Sequence, residues 1–365
     1  MPIKRPNTPG LGNASNLHEG SKAEIDSTAR TRHLLFLDIF RGVAILSVFL
    51  HHALGAVHEI YTLPWKGQFP DFAAAKSLWP FIPLTFGNCG VAIFFVVSGF
   101  CIHLSHCRNS QESWRAFAVK RLFRIYPPYL LALIIFFTCW PWRTYSLTSP
   151  GWLHQFWTHL LLVHNVQLNT TYGINGSFWS IAVEAQLYLI YPILVLMVEA
   201  FDWKRSLAIL FAVESCIRLS LVPLPDIFDH LHFSPFGFWF SWSLGAFAAQ
   251  SYLKGKIPAF RPIYLCWSAI LALASYLWRP LATFQFMAVA LLTTIAIWQQ
   301  LSLPAPQGRR ASRWQWLFNH LIALGGISYS FYLIHQPILA VIQRIQDRLP
   351  SVATPLPWQI GRAHV

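Results

Sequence analysis

Arg41 and His52 stand eleven residues apart in the stretch LDIFRGVAILSVFLHH (Leu37–His52), whose body is otherwise apolar. At about 100° per residue this spacing falls within about 20° of three full turns, so a helix carries both side chains on one face. Asp38 lies one turn before Arg41 on the same stripe, and His52 lies about 16 Å further along at about 1.5 Å per residue. A guanidinium can hold an anion there, and an imidazole, with an ordinary pKa near 6.5, can take or give a proton. An ionised residue at the centre of a bilayer costs about 2.5–3.5 kcal/mol, so such residues are functional candidates in search of partners. A plainer arrangement also fits: Asp38 pairs with Arg41 at the interface, and His51 and His52 close the far end.

Three further stretches hold residues of the same kind. In KRLFRIYPPYL, Arg121 and Arg124 are three apart and project together, with Pro127 and Pro128 expected to open the following helix. Paired guanidiniums suit phosphate oxygens, although the positive-inside bias alone also places arginines here. In NGSFWSIAVEAQLYLIYPIL, Ser180 and Glu184 lie one turn apart behind Trp179, an interfacial type of residue. Glu184 is placed either to orient a histidine of a neighbouring helix or to snorkel. GGISYSFYLIHQPI puts His335 eighteen residues into its apolar run, the depth of His52 in its own, with the Tyr329 and Tyr332 hydroxyls nearby. Glu214 and Arg218, four apart, read as an internal ion pair. The six cysteines show no CxxC or paired spacing and read as small buried apolar residues, and no metal site is expected.

The elements that must position these groups are membrane helices. Of 365 residues 55% are hydrophobic and only 11% charged, roughly half the charge of a soluble domain. Apolar runs long enough to span occur at about 34–57, 83–104, 126–142, 178–199, 206–222, 235–253, 262–278, 281–300 and 317–342. WLHQFWTHLLLVHN (152–165) is shorter and fits an interfacial or re-entrant segment. With the N-terminus inside, 18 Lys and Arg fall on the inner side and 6 on the outer. The net charge of +13 therefore reports topology, and no nucleic-acid partner is expected. Residues 1–33 read as a disordered cytoplasmic tail, 34–345 as the transmembrane domain, and 346–365 as a truncated end. The final residues, IGRAHV, match a translated sequencing adapter, and one further helix is expected to have been lost there.

Taken in order, five motifs resemble the membrane-bound acyltransferase family 3, bacterial enzymes that O-acylate sugars and other hydroxyl acceptors: the Arg41–His52 spacing, GVAIFFVVSGF, RLFRIYP, WSIAVEAQLYLIYP and ISYSFYLIHQP. The likeness runs from about Leu37 to Ile338. It implies an all-α bundle of nine to ten membrane helices in the bacterial inner membrane, with the N-terminus cytoplasmic. It also implies an acyl-CoA donor, usually acetyl-CoA, and a carbohydrate or lipid-linked glycan acceptor met by the outer loops 58–82 and 143–176. By the same likeness Arg121 and Arg124 grip the coenzyme phosphates with help from Arg41. His52 is the catalytic base, a role that contributes about 10² to 10⁴ in rate. Glu184 and His335 assist it, and Asp38, Trp179, Ser180 and Tyr329 are the expected substrate contacts. Direct transfer and an acyl-histidine intermediate both remain open. A proton-coupled secondary transporter is the competing class, but the two halves of the chain show no similarity of the kind inverted repeats leave.

Overall fold

The computed structural model describes residues 34–58, 76–109, 111–138, 150–220, 231–258, 261–303 and 314–348. The tail expected over 1–33, the chain from 349 onward, and 59–75 and 143–149 of the two acceptor loops lie outside the described residues. Within them the regular structure is helical, with no strand. The helices are α1 (Phe36–His58), α2 (Gly90–Arg108), α3 (Trp114–Thr138), α4 (Trp152–Leu160), α5 (Leu168–Thr171), α6 (Phe178–Ser220), α7 (Trp239–Leu253), α8 (Pro262–Leu277), α9 (Gln285–Ser302), α10 (Gln315–Gly326) and α11 (Ser328–Arg348). A 3-10 stretch, Lys76–Cys89, runs directly into α2.

Five of these elements are long and apolar enough to cross a bilayer, and α10 with α11 makes a sixth if the bent pair counts as one span. Their outward faces carry large apolar side chains, with Leu189 71% and Leu196 62% exposed. Such surfaces suit hydrocarbon, and the chain is a multi-pass membrane protein. The nine-residue α4 reaches only about 14 Å at about 1.5 Å per residue, so it does not span, as its short apolar run implied.

The 43 residues of α6 are two helices joined at a kink, where Asp202 has φ 67° and ψ 169°. Its carboxylate accepts the Arg205 N–H at 3.0 Å, an N-cap for the second half. Before the kink, Trp179 stacks on Phe238 and Tyr191 meets Trp242, so numbers rise together with α7. After it, Trp203 meets Phe247 and Glu214 bonds to Ser241, so they run in opposite senses. The two halves therefore fold back on each other, as the separate runs at 178–199 and 206–222 predict.

Close crossings are made by glycines. A Cβ on Gly99 of α2 would meet the Trp242 carbonyl of α7, and one on Gly245 of α7 would meet the Val96 carbonyl of α2. Gly42 of α1 and Gly325 of α10 approach in the same reciprocal way. Small residues at such crossings let backbones come together where no hydrophobic force separates helix from lipid. Glu214 and Arg218 form the expected buried ion pair at 3.0 Å. The carboxylate also accepts the Ser241 backbone N–H and hydroxyl, and the guanidinium donates to the Gly237 carbonyl, which ties α6 to the entry of α7.

Three expectations need correction. The segment 317–342 is not one helix, because α10 and α11 are bent by 85° about Ile327. α3 starts at Trp114, and Pro127 and Pro128 lie inside it rather than opening it, which leaves the carbonyls of Phe123 and Arg124 without their usual helical donors. Cys216 and Cys266 face outward rather than into the core.

Candidate active site

His52 on α1 and His335 on α11 meet, with His52 Nδ1 3.1 Å from His335 Nε2 and ring centroids 4.9 Å apart. Their equal depth in two separate apolar runs is thus a contact. α11 runs alongside α1 here, since Phe49 also packs on Phe331. The surrounding bonds fix the protons. His335 Nδ1 lies 2.7 Å from the Tyr332 carbonyl, which can only accept, so Nδ1 carries the hydrogen and Nε2 of the neutral ring is an acceptor. His52 Nδ1 lies 3.0 Å from the Val48 carbonyl and therefore is also N–H, shared between that oxygen and His335 Nε2. The remaining nitrogen of His52, Nε2, is left bare and basic. His335 is 0% exposed, its Nδ1 is committed to a carbonyl, and its Nε2 also faces the Ser177 hydroxyl at 3.3 Å.

A cavity of about 130 Å³ lies between these histidines and the arginines, lined by Arg41, Cys101 and Arg124 at one end and by Ser180 and Tyr332 at the other. In its middle, Glu184 accepts hydrogen bonds from Ser98 (2.7 Å) and Tyr188 (2.6 Å), and the Trp242 indole N–H points at the Ser98 oxygen at 3.4 Å. Ser180 and Tyr332 share a 2.6 Å hydroxyl contact, and Tyr332 also donates to the Ser177 carbonyl. The Tyr332 ring stands 5.3 Å from that of His335. Tyr332 therefore separates the cavity from the histidine pair. Tyr329 lines the cavity and donates to the Ile125 carbonyl at 2.7 Å.

At the arginine end, Arg41 donates to Asp38 at 2.6 Å and to Cys101 Sγ at 3.1 Å. Arg124 faces the cavity and makes no ion pair among the described residues. Arg121, although three residues away, turns from it to donate to Ser105 at 2.7 Å over the Phe117 ring.

This order of groups coincides with a match to known sequences. The model of acyltransferase family 3, described as an acyltransferase domain, matches residues 34–361. The chain belongs to this acyltransferase family. Over 193 residues, half of the chain, it is 31% identical to the regulator of hypoxia-inducible factor 1 of Caenorhabditis elegans, and it spans 38% of that protein's length. It is also 25% identical to nodulation protein 10 of Rhizobium leguminosarum bv. viciae over 304 residues, 72% of this chain and 75% of that one. No solved structure matches.

In this member of the family the expected site residues divide. His52 and His335 form one pair, while Arg41, Arg124, Ser180, Glu184 and Tyr329 line one cavity. Asp38 is spent on Arg41, the plainer of its two readings. Glu184 touches neither histidine, because Ser98 and Tyr188 hold it one helical turn below Ser180. Trp179 packs between Phe233 and Phe238 rather than facing substrate space. Ser98, Tyr188, Ser177 and Cys101 were not singled out. Ser98 stood in GVAIFFVVSGF, where a hydroxyl amid ten apolar or glycine neighbours is itself a signal for a buried partner.

Away from the spans, His159 of α4 and His164 of the 3-10 turn after it form a second pair, stacked at 4.0 Å and both 0% exposed. Burial pushes His159 down to about 4, and His164 well below the usual range, with the neighbouring ring adding to the effect. Parallel rings do not converge on one point as metal ligation needs, and the described residues hold no three-residue metal cluster.

Proposed function

We propose that this membrane acyltransferase moves an acyl group, in the simplest case acetyl, from acyl-CoA entering at the Arg41–Arg124 end to a hydroxyl of a carbohydrate or related acceptor at the His52 end. The observation that carries the mechanism is the bare Nε2 of His52, left so by the two acceptors that Val48 and His335 place on Nδ1. The acceptor O–H gives its proton to His52 Nε2 as its oxygen attacks the thioester carbonyl. The C–S bond then breaks, and the imidazolium returns the proton to the leaving thiolate.

The donor's charged head stays at the arginine end, where Arg124 and the free N–H groups of Arg41 suit phosphate oxygens. A space of about 130 Å³, some four waters' worth, takes a slender chain and not a nucleotide. Glu184, fixed by two hydroxyls, is placed to accept an amide N–H of the donor's arm, a positioning role in place of the histidine-orienting one. Passage of the acyl carbon to His52 requires the Tyr332 ring to swing away from Ser180. The donor end is then cytoplasmic and the acceptor end faces outward.

The test is transfer of labelled acetyl from acetyl-CoA in membranes. His52→Ala is expected to abolish it at unchanged protein level, and retained transfer would remove His52 from the mechanism.

A further inference from the structure

α8 and α9 form a helical hairpin on the outside of the bundle, and between them runs a groove of about 380 Å³. Its walls are apolar, with Trp267, Leu271, Leu291 and Ile295 among the residues that line it. The groove begins at Pro258, Tyr264 and Trp298, where α8 starts and α9 ends, and reaches Leu271 about 10 Å deeper at about 1.5 Å per residue. Lys254 and Lys256 come just before Pro258 in the chain and Arg261 just before α8, and all three are exposed. No Asp or Glu occurs anywhere from residue 230 to 346, so α7, α8 and α9 bring no carboxylate of their own to balance them. The N-terminus of α8 opens at Pro262 beside Arg261, and its positive dipole end adds to the same field. Tyr264 and Trp267, 49% and 63% exposed, are amphipathic rings of the type that sits at headgroup level.

We propose that this groove is a binding site for one anionic phospholipid, with an acyl chain along Leu271, Leu291 and Ile295 and its phosphate at Lys254, Lys256 and Arg261. Both halves of the ligand are recognised: the slot by shape and apolarity, the rim by charge. A zwitterionic lipid fills the slot but gains less at the rim, whereas a free phosphate meets the rim but has nothing for the slot. The site lies on the arginine side of the protein, because Gln250, at the end of α7 that leads to Lys254, bonds to His103 near the foot of α2.

The experiment is native mass spectrometry of the full chain in detergent, titrated with equimolar phosphatidylglycerol and phosphatidylcholine of matched chains. Each basic residue near a lipid phosphate is expected to favour the anionic lipid about fivefold, so one retained phosphatidylglycerol should dominate by about a hundredfold. The triple variant K254Q/K256Q/R261Q should bring the ratio near one. Leu271→Trp, which fills the slot from a 42% exposed position, should cut phosphatidylglycerol retention about tenfold with the rim intact. Equal retention of the two lipids by the wild type would overturn the site, as would unchanged preference in the triple variant or unchanged retention in Leu271→Trp. Displacement of the lipid by millimolar glycerol phosphate alone would assign the rim to a soluble anion and sink the proposal as well. None of these readouts depends on acyl transfer, so their failure leaves the catalytic mechanism untouched.

Discussion

Replacing His335 with Phe separates a positioning imidazole from a catalytic one. The ring that His335 presents to His52 accepts a single hydrogen bond at 3.1 Å, and the Val48 carbonyl still holds the same N–H when that acceptor is gone. One such bond is worth about 0.5–1.5 kcal/mol net, or about two- to thirteenfold in the population of the productive tautomer and orientation. A base at His52 therefore predicts that His335→Phe lowers kcat by that factor, with donor KM little changed, against about 10² to 10⁴ for His52→Ala. His335→Gln, whose amide oxygen can accept the same bond, should recover most of the loss. The assay is single-turnover transfer from labelled acetyl-CoA in membranes, with thermal unfolding run alongside to exclude loss of fold. If His335→Phe proves as inactive as His52→Ala in folded protein, His335 is itself the proton acceptor and the tautomer argument fails.

Arg124→Gln should raise donor KM by about 10- to 150-fold, the worth of a charge-assisted contact, while Arg121→Gln, turned away onto Ser105, should change it less than about fivefold; equal effects would return both arginines to one phosphate site. Ser180→Phe fills the histidine-ward end of the cavity and should suppress kcat while donor binding, followed by coenzyme protection in thermal unfolding, survives. Gly99→Ala drives a methyl into the Trp242 carbonyl and should cost about 1–3 kcal/mol, seen as a lowered unfolding temperature; an unchanged temperature would mean that α2 and α7 separate freely. His159, held near 4 when folded and near 6.5 when unfolded, makes the unfolded chain the better proton binder between those values. Stability should therefore be whole above pH 6.5 and fall by about 3 kcal/mol as pH drops toward 4, with His159→Gln flattening that slope.

What could be read ahead of the structure follows the range of each physical signal. Apolar length announces a membrane helix within its own residues, so the helices were legible, including the fold-back of α6 around Lys204 and Arg205. Helix periodicity likewise placed Arg41 and His52 on one face, and depth counting put His335 level with His52. Breaks depend on neighbours: nothing in the apolar run 317–342 shows that Gly325 must seat against Asp38 of α1, and that close approach sets where α10 stops. Side-chain partners were least legible. Arg121 and Arg124 share a spacing but not a destination, since Ser105, sixteen residues earlier, claims one of them. Glu184 could not be assigned to Ser98 and Tyr188 rather than to a histidine, because that choice turns on the rotation of α2 against α6.

The cavity's closed end bears on how transfer avoids hydrolysis. Between the unpaired Arg124 at one end and the bare Nε2 of His52 at the other, the polar groups that line the way are paired: Arg41 with Asp38, Glu184 with Ser98 and Tyr188, Ser180 with Tyr332, and His335 with the Tyr332 carbonyl. Groups satisfied in this way do not draw a continuous file of water through the membrane, which an open polar passage between the two sides would do. Tyr332 takes part in two of these pairings, its hydroxyl toward the cavity and its carbonyl toward His335, so one residue both closes the passage and, through His335, helps fix the His52 tautomer. On the proposed route an acyl arm would have to break the 2.6 Å hydroxyl contact to pass, while the carbonyl bond, a backbone feature of α11, does not depend on the position of the ring. In the proposed mechanism His52 would thus stay poised while the Tyr332 ring swings, and water would gain access only when a donor arm already fills the path.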